Sequence, residues 1–139
     1  MRKHTWFAAL GSALVLTLGV VSWAAEKPPA DYQKAMTALD VFTKNIDKVV
    51  AASDWDGITG MATTARDAFV VAEKYWDGKD ASAKEIAGTG AKQAQDLIAV
   101  AGQQSQEGAA FSVNEIKAVC QQCHTAHRES QPDGSFLIK

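Results

Sequence analysis

Five residues near the C-terminus, Cys120, Gln121, Gln122, Cys123 and His124, have the types and spacing for covalent cofactor chemistry. They spell C-x-x-C-H, the attachment sequence of a c-type haem. On a helix, side chains three and four apart share a face. Both thiols can then reach the two vinyl groups of one porphyrin while His124 lies beneath the iron. Cys120 and Cys123 are the only cysteines in the chain. A plain disulfide and a thioredoxin-like redox pair are the competing readings, but the second expects a βαβ surrounding that the pattern lacks. A zinc site needs four ligands, and only Cys120, Cys123, His124 and His127 are near one another in sequence. The motif therefore predicts one covalent haem c, with Cys120 and Cys123 as its thioether donors.

That chemistry sets a compartment, and the N-terminus agrees with it. Arg2 and Lys3 are followed by an uncharged apolar stretch from Trp6 to Val21, and Ser22-Trp23-Ala24 supplies small residues at the two positions a signal peptidase reads. Residues 1–24 are expected to be a signal peptide and residues 25–139 one exported, periplasmic domain. Left uncleaved, the same stretch approaches the roughly 20 residues that span a bilayer and would anchor the domain to the membrane. Removing Arg2 and Lys3 from the 14 basic side chains leaves 12 against 16 acidic ones, a formal balance of −4. No basic patch points to nucleic acid. A mild acidic balance suits a soluble domain and a basic redox partner.

The elements that must position the motif read as helices throughout. Helix A is expected from about Ala30 to Ala52, with Tyr32, Met36, Leu39, Ile46 and Val50 on one stripe, widened by Phe42 and Val49. Helix B, about Asp54 to Trp76, carries Trp55, Ile58, Ala62, Ala65, Phe69, Ala72 and Trp76 at 3-4 spacing. Helix C opens at a capping box beginning with Ser82 and runs to about Ala101, with Ala83, Ala87, Gly90, Ala94, Leu97 and Ala101 as its seam. A polar loop follows over Gln103 to Gly108. Helix D opens at a second capping box beginning with Ser112, and its seam runs Val113, Ile116, Cys120, Cys123, His127. Four helices with short connections predict an all-α, antiparallel up-down-up-down bundle. The tail has a Pro132-Asp133-Gly134 turn and an apolar end, Phe136-Leu137-Ile138; folding back over the bundle and fraying are both open to it.

A bundle with one haem fastened near its C-terminus resembles the class II c-type cytochromes, cytochrome c′ and its low-spin relatives such as cytochrome c556. The resemblance spans residues 25–139 in helix order but rests on few residues. Where the family ends Cys-x-x-Cys-His-x-x-Tyr-Arg, this chain has Cys120, Cys123, His124, then His127-Arg128, with histidine in place of tyrosine. Gln33 and Met36 match the family's Gln and distal residue three positions on, although Tyr32 stands where an Arg is usual. The resemblance implies that His124 is the proximal iron ligand. A methionine at the distal position goes with low-spin, electron-transferring relatives. A non-ligating residue there goes with five-coordinate cytochromes c′ that bind nitric oxide or carbon monoxide.

Bundle geometry gives an independent reason to single out Met36 as the distal ligand. In an antiparallel A–D pair, Cys123 and Met36 each lie about six residues, or about 9 Å, from the same end. Met61 lies some 23 Å from that end by the same rise. The same level predicts a pocket walled by Tyr32, Leu39, Phe69, Ala72, Trp76, Ile86, Ala87 and Gly90. His127 is expected to pack near the haem or bond a propionate, and Arg128 to contact a propionate. No acid–base pair or activated nucleophile stands at motif spacing, so the chain reads as a carrier of single electrons rather than an enzyme. Homodimerisation of the cytochrome c′ kind would use an exposed apolar face on helices A and B, where Val41 and Val70 lie off the seams.

Overall fold

The computed structural model describes residues 25–139; the expected signal peptide over residues 1–24 lies outside the described residues. Four helices of 22 residues each form a bundle: α1 (Ala30–Ala51), α2 (Trp55–Trp76), α3 (Ala81–Gly102) and α4 (Gln106–His127). Two three-residue strands follow, β1 (Arg128–Ser130) and β2 (Phe136–Ile138). None of the described helices is long and apolar enough to cross a membrane.

Local chemistry sets the helix ends. Pro29 has φ −65° and an extended ψ, so it leads into α1 without a side-chain cap. The Asp54 carboxylate accepts the Gly57 N–H at 3.0 Å and starts α2. Asp80 does the same for α3, taking the Ala83 N–H at 2.8 Å. Ser82 is therefore not the cap: a carboxylate two residues earlier claims the orphan donor first. Ser105 Oγ accepts the Gly108 N–H at 3.2 Å and opens α4. The polar loop expected over Gln103 to Gly108 thus shrinks to a turn, with Gln104 in the left-handed region at φ 53°. Ser112 lies inside the helix and is buried. A usable serine cap upstream lets the small residues 108–110 continue the helix.

The expected seams of α2 and α3 are the buried ones, whereas Met36 and Val49 in α1 and Cys120, Cys123 and His127 in α4 are only half-buried. In α2 the buried residues are Ile58, Ala62, Ala65, Phe69, Ala72 and Trp76, while Trp55 is only half-buried. In α3 all six seam residues are buried. These small side chains let α2 and α3 pack most intimately. A Cβ on Gly90 would lie 2.4 Å from Cε1 of the Phe69 ring, so the space beside Gly90 is already taken by Phe69. Phe42, Ile46, Ile58, Leu97 and Ile116 are the largest fully buried side chains. At that end Gln106 ties α4 to α1, donating to the Val50 carbonyl at 2.7 Å and accepting from Ser53 Oγ at 3.1 Å.

The tail folds back instead of fraying. β1 and β2 pair antiparallel, Arg128 opposite Ile138 and Ser130 opposite Phe136. Gly134 supplies the positive φ of 82° that the turn demands. Asp133 steadies it, accepting the Ser135 N–H at 2.9 Å and Oγ–H at 2.7 Å. On its other side, Ile138 exchanges both backbone hydrogen bonds with Glu26, at 2.9 and 3.0 Å.

Candidate functional site

α1 packs far more sparsely on α4 than on α2. A cavity of about 1130 Å³ lies against these two helices. It exceeds the roughly 300–1,000 Å³ typical of small-ligand clefts. α1 contributes Tyr32, Met36 and Leu39, and α4 contributes Cys120, Cys123, His124 and His127. Phe69 and Ala72 come from α2, Ile86 and Ala87 from α3. Met36 is half-buried on this wall, whereas Met61 packs against the main core and does not reach the cavity. Two thiols, one imidazole and one thioether therefore line a single space. They do so because helical period places Cys120, Cys123 and His124 on one side of α4, and Tyr32, Met36 and Leu39 on one side of α1.

Two expected wall residues are elsewhere. Gly90 faces Phe69, as above, and Trp76 lies behind the wall, its indole N–H donating to the Tyr32 hydroxyl at 3.3 Å. Burial pushes the Tyr32 phenol up to about 12. His127 lines the cavity and packs against Trp76 with ring centroids 5.0 Å apart. Gln33 is exposed, and its amide donates to the Pro28 carbonyl at 2.6 Å, fastening the chain leading into α1. Val41 and Val70 are both half exposed, at 52% and 50%.

The electrostatics of the donors follow from burial. Both cysteines are free thiols. Desolvation, with the neighbouring Cys123 adding to it, pushes Cys120 up to about 11, and Cys123 is raised by burial too. A redox-active C-x-x-C pair depends on a lowered thiol, and these are displaced the opposite way. Burial, and secondly the Arg128 guanidinium, hold the His124 imidazole below its ordinary range. Arg128 Nη1 lies 3.3 Å from His124 Nδ1. A guanidinium only donates, so Nδ1 accepts here and the ring proton sits on Nε2. Among the described residues, no group of three His, Cys, Asp or Glu side chains converges as a site for a bare metal ion.

The hairpin is the part of the site that helical period did not reveal. Phe136, Leu137 and Ile138 line the cavity, and the Arg128 guanidinium lies 3.2 Å from the centroid of the Phe136 ring. The available signal was the Pro-Asp-Gly turn beside an apolar triplet. No family model matches the chain, and neither a curated protein nor a solved structure matches it.

Proposed function

We propose that this protein is an exported, periplasmic monohaem c-type cytochrome that carries single electrons. Cys120 and Cys123 would hold haem c as thioethers, with His124 and Met36 as the iron's ligands. The observation that carries this reading is the convergence of Met36 with the C-x-x-C-H side chains on one cavity large enough for a flat cofactor. The donor set fits haem c in chemistry: two thiols for two thioethers, one imidazole, one thioether on the facing helix. An up-down-up-down course of the helices belongs to the same reading. It is supported by the short turns and by the bonds of Gln106 to Val50 and Ser53.

Bound, such a group supplies a one-electron ferric–ferrous couple whose potential a His/Met ligand pair raises. The chain's own residues do the rest. His124 would hold the iron through Nε2 and would then carry its ring proton on Nδ1. With Nδ1 protonated Arg128 could not donate to it, and its guanidinium would be available to a propionate carboxylate. Tyr32, Leu39, Phe69 and Ile86 would present apolar side chains to the faces of that group. The partners are redox proteins; a homodimer through α1 and α2 is a further expectation of the family likeness.

The test is the optical spectrum of the purified protein, ferric and then ferrous with carbon monoxide added. A low-spin ferric spectrum with a methionine–iron charge-transfer band and no response to carbon monoxide is expected. Its loss in Met36→Ala would identify the ligand. A high-spin spectrum with ready carbon monoxide binding would make the protein a five-coordinate, gas-binding cytochrome c′ instead. No haem after expression with the maturation machinery would overturn the reading entirely.

A further inference from the structure

The C-terminal hairpin meets the N-terminal segment and the cavity at once. β2 is the middle of three extended pieces, flanked by β1 on one side and Glu26 on the other. Ile138 gives its N–H to the Glu26 carbonyl and takes the Glu26 N–H on its own carbonyl, at 2.9 and 3.0 Å. Its side chain packs on the buried cluster of Tyr32, Ala72, Trp76, Ala83 and Ala87. The next residue, Lys139, donates its N–H to the His127 carbonyl at 3.1 Å. Glu26 is in turn fixed to the end of α2. Its carboxylate accepts from the Tyr75 hydroxyl at 2.7 Å and lies 3.8 Å from Lys79 Nζ, while that ammonium sits 3.6 Å above the Tyr75 ring.

The physical balance of this arrangement is lopsided. A two-stranded hairpin of three-residue strands is not stable by itself in water. β1 and β2 are that short, Phe136 is 41% exposed, and Leu137 and Ile138 are only half-buried. Beyond its own ladder and turn, the hairpin is held by the Ile138 contact, by the Lys139 N–H on the His127 carbonyl at the α4 side, and by the Glu26 pairing. On the edge away from α4, only the Glu26 pairing supplies backbone hydrogen bonds. That pairing is itself clamped by Tyr75 and Lys79, so losing it releases the hairpin on the side away from α4.

We propose that the C-terminal hairpin is a strap across the cavity whose closure is set by its pairing with Glu26, so that the N-terminal segment governs access to Cys120 and Cys123. The strap determines which molecules reach the cavity and how much of its contents meets water. It holds whether or not the cavity carries haem, because every contact invoked belongs to the chain itself.

Two readouts on the full chain test it. Hydrogen exchange of the segment 128–139 is measured on the protein as purified. Alkylation of Cys120 and Cys123 by iodoacetamide is measured on protein prepared without haem, whose helical circular dichroism is first matched to that of the protein as purified. Glu26→Pro removes the N–H that Ile138 accepts, together with the carboxylate that Tyr75 and Lys79 hold. Both rates are expected to rise about tenfold, as when a local opening equilibrium loses a backbone hydrogen bond or two, with unchanged helical circular dichroism. Should that variant misfold, Tyr75→Phe with Lys79→Ala removes only the clamp on Glu26 and must move both rates the same way by a smaller factor. Faster exchange with unaltered alkylation would show a loosened hairpin that does not control access. Unaltered exchange would show that closure does not depend on Glu26. Either result overturns the strap. A chain found to carry no haem in its native state would overturn the proposed function and leave this test intact.

Discussion

Toward the α1–α2 and α3–α4 turns, Phe42, Ile46, Ile58, Leu97 and Ile116 pack the bundle interior and are fully buried. Toward the other end, the same four helices leave about 1130 Å³ open around Met36, Cys120, Cys123 and His124. Helical period is the same at both ends, so period does not make the difference; residue choice does. In α4, Val113 and Ile116 give way to Cys120, Cys123 and His124 on the same side, and in α1, Phe42 and Ile46 have Met36 and Leu39 as their counterparts. Space between apolar walls forfeits dispersion contacts that a packed core makes. The chain's own side chains therefore leave to an occupant of the open end the contacts that they make among themselves at the closed end.

The comparison breaks most visibly under truncation of one leucine at each end. Leu97→Ala should cost about 3 kcal/mol, because a fully buried side chain leaves a void its neighbours cannot fill. In protein prepared without haem, Leu39→Ala should cost less than about half of that, since one side of this residue meets the cavity and not other side chains. Urea unfolding of the two variants measures both. Equal losses would mean that the cavity end is as tightly packed as the closed end.

Gly90→Ala sharpens the boundary between the ends. The new methyl would meet the Phe69 ring at 2.4 Å, and Phe69 is itself a cavity wall. With open space on its far side the ring can yield, so the cost should sit near the low end for overpacking, about 1 kcal/mol. Under the proposed function, the displaced ring should also lower the fraction of chains that acquire haem during maturation. A loss of stability well above that with normal haem content would show that Phe69 cannot move toward the cavity.

A smaller contrast concerns the start of α3. Asp80→Ala should cost about 1 kcal/mol by orphaning the Ala83 N–H, and Ser82→Ala should stay within about 0.5 kcal/mol. The reverse order, read from thermal midpoints, would restore Ser82 as the cap.

These caps also mark where sequence ceases to be a sufficient guide. The seams of α2 and α3 were legible residue by residue, because 3-4 spacing of alanines around a few large side chains has one helical solution. That Met36 shares a cavity with Cys120, Cys123 and His124 was legible from helical rise, which sets them at one level of an antiparallel pair. The start of α4 was not: Ser105 and Ser112 both offer caps, and only packing decides that Ser112 is buried. Gly90 misled because a missing side chain says there is room without saying what fills it. The hairpin's turn was legible, but its folding back was left open, because Glu26, which pairs with β2 on the edge away from β1, is more than a hundred residues away, where no local pattern reaches.

The finest probe of the comparison asks whether the open end is dry. Burial holds the Tyr32 phenol at about 12 against its ordinary 10.0, with the Trp76 hydrogen bond working the other way. A folded-state value raised above the unfolded one means that the unfolded chain loses this proton first. The stability due to Tyr32 is then fully present below about pH 10 and is lost as pH rises toward about 12. Tyr75 is raised too, first by burial and then by Glu26, so wild-type stability falls in alkali for two reasons. Tyr32→Phe should remove one of them. At neutral pH the variant should be less stable by about 1 kcal/mol, because the Trp76 N–H loses its acceptor. Between about pH 8 and about pH 11, urea midpoints of wild type and variant should draw together. Parallel curves would mean that the Tyr32 phenol is already hydrated when folded, and that water fills the end of the bundle where the thiols lie.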